Sequence, residues 1–309
     1  MELVALSLPL LVGVMLFPSL VMLVCRRYRW AFVLLIINLL LNWYGQCFPL
    51  NILGSSNTNT ATLKVLSFNC NLRPEVADYY GNVDAVADLI LKEDADVVFL
   101  TENFHHKFDS LFRKIQAVYP YRSKSVNPCG NRLYCKYELL ADSLMMDCKE
   151  NPYAINYCII KYNNQKVGVI GCHLSSNNYN SRMEYKTPEN LLTIKQFQNY
   201  LWNILKVGKY RQEQVKTIVS LLDTEIPTVV VGDFNDVFGS PTLNTLERNG
   251  LKDSWWEGGF GYGATIHSPM PFRIDHILYN EKLKLEKISK LDNKALSDHD
   301  ALVAEFEFQ

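Results

Sequence analysis

Two kinds of cysteine chemistry are missing from this 309-residue chain. Its eight cysteines form no Cys-x-x-Cys pair and no Cys/His spacing of the zinc type, which argues against a zinc-ribbon or dithiol-redox protein. Cys25 and Cys47 fall in apolar runs, and Cys70, Cys158 and Cys172 in strand-like runs, where they read as small buried side chains. Cys129 and Cys135 bracket Gly-Asn-Arg-Leu-Tyr; they either pair in an oxidising compartment or stand free. No internal repeat appears, so a solenoid or propeller is excluded. An excess of positive charge is missing too. The net charge is −1, and leaving out the first fifty residues takes away three arginines and one glutamate, leaving 28 basic against 31 acidic side chains. Nothing in that balance marks a general polyanion-binding surface.

Charge is also absent, locally, from two long stretches. Residues 3–25 carry none, and neither do residues 30–50. At a rise of about 1.5 Å per residue, each is long enough for the roughly 30 Å hydrocarbon core of a bilayer. Arg26-Arg27-Tyr28-Arg29 lies between them. The first stretch lacks the basic lead-in of a signal peptide. The pattern predicts a transmembrane helical hairpin over 1–50, with a single span as the alternative. Asn38, Asn42, Gln46 and Pro49 put the far end of the second stretch near the interface, a level that suits Trp43 and Tyr44. Three arginines in the connection favour a cytoplasmic loop. Both termini then face outward from a cytoplasmic (inner) membrane, into the periplasm or the extracellular space.

Residues 51–62, NILGSSNTNTAT, have the small, polar, uncharged composition of a linker. From residue 63 to 309 the pattern is that of a folded domain. LKVLSFNCNL and DADVVFLTEN read as buried strands, with a helix between them over 82–92 capped by Asn82. NRLYCKYELL, AINYCIIKY and QKVGVIGCHL give further strands in hairpin order, with Asn163-Asn164 as a turn. Residues 187–222 read as two helices broken near Gly208. IPTVVVGDF, RIDHILYN and ALVAEFEF complete the strands. The class is α/β: a four-layer α/β/β/α sandwich of two mainly antiparallel sheets.

Each apolar strand ends in polar residues, and strand ends meet at one edge of a sandwich. The clusters are Phe68-Asn69, Thr101-Glu102-Asn103, Cys172-His173-Leu174, Gly232-Asp233-Phe234-Asn235-Asp236, Arg273-Ile274-Asp275-His276 and Ser297-Asp298-His299. Carboxylate and amide oxygens are hard ligands that suit Mg²⁺, Mn²⁺ or Ca²⁺ rather than zinc. Phosphoester hydrolysis needs an activated water, in-line geometry and positive charge on the non-bridging oxygens, and this set can supply all three. Taken singly, each residue has an ordinary reading: a turn-capping Asn69, an exposed Glu102, a core His173, an Asx-turn at Asp233 and Asn235, a buried Asp275–His299 pair. Six such clusters, each following an apolar strand, make the ordinary reading of them all improbable.

LSFN, LTEN, GCHL, GDFND, RIDHI and SDHD, in that order over residues 63–309, resemble the endonuclease/exonuclease/phosphatase superfamily with its deoxyribonuclease-I-like fold. GFGYGAT before RIDHI is like its bacterial branch. The resemblance implies that Glu102 is the principal metal ligand, that Asn69 contacts the metal or its water, and that Asp298 lies near the metal. It implies that Asp233 activates or orients the attacking water and that Asn235 holds the phosphate or that water. It further implies that His299 contacts the phosphate with Asp275 fixing its tautomer, and that His173 binds the phosphate from the other side. The implied cofactor is Mg²⁺ or Mn²⁺.

Other residues carry weaker signals. Arg273 either serves the substrate or neutralises a carboxylate. Asn177 can reach substrate from the loop after His173, and Trp256 can line a substrate wall or touch lipid headgroups. His276, next to Asp275 on one strand, should point to the opposite face. The expected function is metal-dependent hydrolysis of a phosphoester by a membrane-anchored domain. An integral anchor and an acidic soluble part favour a lipid or small-molecule phosphoester, with nucleic acid less favoured and no protein partner inferred. The alternatives are an extracytoplasmic nuclease and a catalytically silent membrane-bound binding module on the same fold.

Overall fold

The computed structural model describes residues 2–51, 62–72, 79–104, 110–124, 130–147, 153–177, 194–267, 271–291 and 296–309. Two helices open the chain, α1 (Glu2–Val24) and α2 (Tyr28–Gly45). They pack against each other: Asn38 Nδ2 donates to Val12 O at 2.6 Å, and Leu8 and Val12 bury with Cys47 against Leu41 and Phe48. The distal turns stay apolar and exposed, with Phe17, Leu20, Trp30 and Phe32 all more than half exposed. Among the described residues one helix, Glu2–Val24, is by length and composition long and apolar enough to cross a membrane.

The remaining elements are β1 (Leu63–Leu72), α3 (Tyr79–Glu93), β2 (Val97–Asn103), α4 (Ser110–Ile115), β3 (Tyr121–Arg122), β4 (Arg132–Cys135), β5 (Leu139–Asp147), β6 (Tyr153–Tyr162) and β7 (Gln165–His173). Then follow α5 (Ile194–Leu221), β8 (Thr228–Asp233), α6 (Pro241–Arg248), β9 (Lys252–Asp253), α7 (Ser254–Gly258), β10 (Asp275–Tyr279), β11 (Leu283–Leu291) and β12 (Ala301–Phe308). One six-stranded sheet runs β11-β12-β1-β2-β4-β3, the other β5-β6-β7-β8-β10-β9. Only β1–β2 and β7–β8 pair in parallel; the other pairs are antiparallel. Strand alternation sends one set of side chains between the sheets, including Val65, Phe99, Leu133, Val169, Val231, Ile277 and Phe306. The opposite faces are covered by α3 and α4 on one side, through Val83, Val86, Ile90 and Leu111, and by α5 and α6 on the other, through Val215, Ile218, Leu243 and Leu246. That is the expected α/β/β/α order.

Several local expectations change. Asn82 lies inside α3, which begins at Tyr79, and does not cap it. NRLYCKYELL is not one strand: β4 and β5 belong to different sheets, and Lys136–Glu138 carry the chain across. α5 is continuous through Gly208 because that glycine makes room for a neighbour. A Cβ there would stand 2.6 Å from Glu2 Oε1. The second apolar stretch is helical only to Gly45. Gln46 takes a left-handed conformation (φ 43°), and the Asn42 side chain ties off the turn by accepting from Phe48 N and donating to Phe48 O. The Asn163-Asn164 turn is as expected, with φ of 45° and 66°. Cys70, Cys158 and Cys172 are buried, and Cys135 is a buried free thiol. Cys129 and the 52–61 part of the linker lie outside the described residues.

Candidate functional site

The polar strand ends do converge. Asp233 ends β8, and its register partners are His173 at the end of β7 and Asp275 at the start of β10. The parallel β7–β8 pair runs so tight here that Gly232 (φ 134°) cannot carry a side chain; a Cβ would lie 1.9 Å from Cys172 O. Across the sandwich, Asn69 on β1 donates from Nδ2 to Asp233 Oδ2 at 3.0 Å and approaches Glu102 Oε1 at 3.4 Å. This amide bridges the two sheets and joins the two acidic positions.

His299 completes the cluster. Its Nδ1 meets Asp275 Oδ2 at 2.7 Å, and its Nε2 lies 4.0 Å from Asp233 Oδ2. His173 Nε2 stands 3.6 Å from the same Asp233 oxygen. Two imidazoles and one amide therefore surround a single carboxylate that is 2 % exposed. Burial raises the Asp233 pKa, and the charge of Asp275 raises it further, while His299 and His173 oppose both. Burial would lower the His299 pKa, but Asp275 overrides it and the ring is pushed up to about 10. Asp275 so holds an imidazolium with its Nδ1–H fixed, leaving Nε2–H turned toward Asp233.

Backbone geometry aims the remaining groups. Glu102 is left-handed (φ 52°) although it has a full side chain, a conformation that costs about 1–3 kcal/mol and persists only where its surroundings impose it. Asn235 is also left-handed (φ 50°); its N–H donates to Asp233 Oδ1 at 2.8 Å and its amide to Leu174 O at 3.0 Å. Asp298 is exposed beside His299 and accepts from Ser297 Oγ at 3.4 Å.

The other sequence candidates lie around this cluster. Arg273 is buried, ion-paired with Asp253, close to His276 Nδ1 and donating to Gln46 O at 3.1 Å. Asn177 accepts from Arg211 at 2.9 Å through its side chain and from Asn203 through its carbonyl. Trp256 is half-buried on α7, and its carbonyl accepts from Asn51. His276 faces away from the cluster, packed edge-on against Phe234. Sequence reading gave no role to Ser297, whose hydroxyl donates to Asn69 O and accepts from His299 N. It also missed Thr265, whose hydroxyl accepts from the N–H of Ile274 and Asp275. Both lie within motifs of the sequence, Thr265 closing GFGYGAT and Ser297 opening SDHD, and that position is the signal that could have found them.

Two donor sets could hold a cation. Ligand atoms of Asp233, Asp275 and His299 lie within 4.8 Å of one another and all three residues are buried. In this set His299 already engages Asp275 through Nδ1 at 2.7 Å and offers only Nε2 to an ion. Glu102 offers a hard, half-buried carboxylate of the kind that suits a divalent ion, with the Asn69 amide nitrogen 3.4 Å from its Oε1.

The Endonuclease/Exonuclease/phosphatase family model matches residues 66–299. The chain belongs to this family. Its members hydrolyse phosphoester bonds with divalent metal ions. No curated protein matches by sequence. Among solved structures, the chain is similar to an endonuclease/exonuclease/phosphatase from Beutenbergia cavernae, with 16 % identity over 81 % of this chain and 72 % of that one (TM-score 0.57). It is similar to D. rerio TDP2 complexed with single-strand DNA product, with 12 % identity over 80 % of this chain and all of that one (TM-score 0.59). A family protein from Leptotrichia buccalis gives 17 % identity over 80 % of this chain and all of that one (TM-score 0.54). At these identities the likeness is one of fold.

Proposed function

We propose that the chain is a Mg²⁺- or Mn²⁺-dependent phosphoester hydrolase, a phosphodiesterase or phosphatase, held on a membrane by residues 1–50. Residues 51–62 are the linker and 63–309 the catalytic domain. The observation that carries this reading is the convergence of Asp233, His299, Asp275, His173, Asn69 and Glu102 on one end of the sandwich. Asp233 orients or deprotonates the attacking water, and Asn235 holds that water or a phosphate oxygen. His299, oriented by Asp275, donates from Nε2 to the phosphate as negative charge develops, and His173 binds it from the other side. Glu102, Asn69 and the nearby Asp298 hold the cation, which withdraws charge from the phosphoryl oxygens when bound.

The apolar α1 and the acidic balance of the soluble part, 28 basic against 31 acidic side chains, favour a lipid or small-molecule phosphoester over nucleic acid. With a hairpin over 1–50, Arg26, Arg27 and Arg29 favour a cytoplasmic loop, which would leave the domain outside the cytoplasmic membrane. The test is turnover of bis(4-nitrophenyl) phosphate by the full chain in detergent, with Mg²⁺ or Mn²⁺. Turnover that EDTA abolishes and either metal restores is expected. Turnover that survives exhaustive chelation, or none with any metal, overturns the proposal.

A further inference from the structure

Helices α1 and α2 are seated on the same end of the sandwich as the carboxylate–imidazole cluster. Ala5 buries against Val237 and Ile274, with Leu6, Ile266 and Phe272 packed around them. Val237 lies two residues beyond Asn235, Ile274 immediately precedes Asp275, and Ile266 forms a β-bridge with His299. Gly239, in the same loop as Val237, lies against Gly45 and Leu8. Two of the segments that carry the cluster therefore touch the base of the helix pair, and a third, at His299, is bridged to a residue packed there.

Two buried arginines fix that seat. Arg211, fully buried on α5, donates from Nε to Asp236 at 3.0 Å, from Nη1 to Ser175 O at 3.0 Å and to Asn177 Oδ1 at 2.9 Å, and from Nη2 to Glu2 at 3.3 Å. It joins the first turn of α1 to the loops after His173 and Asn235. Arg273 holds Gln46 O, just past the end of α2.

The lengths place the membrane surface. From Ala5 to Val24, α1 supplies about 20 residues, roughly 30 Å, which is the thickness of the hydrocarbon core. With α1 across the bilayer, Ala5 and the loops it packs against lie at the headgroup level. The side chains around the base suit that level: Trp43 is 70 % exposed, Tyr44 is exposed, and Leu50 and Phe260 (67 % and 64 % exposed) are joined by a β-bridge.

We propose that the substrate is the headgroup phosphoester of a bilayer lipid, presented to the Asp233–His299 cluster by the membrane in which α1 and α2 stand. The proposal rests on the phosphoester-hydrolase reading above. The reaction adds water across one P–O ester bond: hydroxide goes to phosphorus, and the proton to the departing alkoxide oxygen.

The test uses the full chain in proteoliposomes of phosphatidylethanolamine, phosphatidylglycerol and sphingomyelin with Mg²⁺ or Mn²⁺, lipid products being read by mass spectrometry. Bis(4-nitrophenyl) phosphate is assayed in parallel. We expect cleavage of a lipid in the protein's own bilayer, and at least tenfold less of the same lipid in separate vesicles. Phe260→Asp and Leu50→Asp should lower lipid cleavage at least tenfold and leave turnover of the soluble diester unchanged. If the soluble diester is hydrolysed and no lipid is, or if both vesicle populations are cleaved equally, lipid presentation is wrong and the hydrolase reading stands. If neither substrate is turned over, the hydrolase reading itself fails.

Discussion

Arg211→Met isolates the contribution of the seat between α1 and the sandwich. Arg211 is fully buried and meets four acceptors, two of them the carboxylates of Glu2 and Asp236. Both carboxylates are themselves buried. Removing the arginine leaves two buried carboxylates without their cationic partner, and breaking such a pair from one side costs about 3–5 kcal/mol. For a chain of this size each kcal/mol moves the melting temperature by about 2–4 °C, so the expected drop is roughly 6–20 °C. Methionine retains much of the packing volume, so the loss is electrostatic rather than a cavity. The triple variant Glu2→Gln, Asp236→Asn, Arg211→Met strands no charge and should recover more than half of the loss. Scanning fluorimetry of the full chain in detergent measures both. A single variant within about 0.5 kcal/mol of the wild type, the range of an ordinary surface substitution, refutes the reasoning. So does a triple variant no better than the single one.

Asp233→Asn or His299→Ala should lower turnover of bis(4-nitrophenyl) phosphate by about 100-fold or more, with the fold retained by circular dichroism; activity like the wild type in either removes the cluster from the chemistry. Glu102→Gln keeps the shape and loses the charge, so the metal concentration for half-maximal activity should rise, and an unchanged metal titration would move the ion elsewhere. His276 should give the fold an acid limit. Burial, then Arg273, lowers its pKa from 6.5 to about 4, so between those values the unfolded chain binds a proton that the folded one refuses. This contribution is intact above about pH 6.5 and falls toward pH 4, by up to roughly 3 kcal/mol. His276→Gln should flatten that part of the pH–stability curve, and an unaltered slope would assign the acid sensitivity to other groups.

Much of the site could be read in the sequence because its residues follow apolar strands directly. Asn69, Glu102, His173, Asp233 and Asp275 each lie at or within three residues of a strand end; sheet pairing brings His173, Asp233 and Asp275 together, and the packing of the two sheets brings Asn69 and Glu102 to them. What could not be read depends on contacts distant in sequence. Arg211 sits on an amphipathic helix where a charge ordinarily means a solvated face, and only partners 25 to 209 residues away, Asp236, Ser175, Asn177 and Glu2, show otherwise. Gly208 carries the usual signal of a helix breaker, and the same glutamate explains why it breaks nothing. β4 and β5 read as one run because their apolar pattern is continuous, while the sheets they join are different. The end of α2 at Gly45 depends on the folding back of Asn42 onto Phe48 and on Arg273 reaching Gln46 O.

Glu2 is the one charged residue before Arg26, and its place at the start of α1 makes sense in two environments at once. A carboxylate at the edge of a bilayer needs a partner or it must give up its charge. Arg211 supplies that partner and in turn is held by Asp236 and by the loop at Ser175–Asn177. A flexible tether would need no such residue, since any apolar helix would anchor the chain. The buried pair ties the position of α1 to the loops beside Asp233: whatever lifts Glu2 away from Arg211 takes a partner from the arginine that holds the loop two residues past His173. The helix pair is thus packed into the end of the sandwich that carries the carboxylate–imidazole cluster, and cutting the chain near residue 62 would remove that packing together with the partners of Arg211 and Arg273 on it.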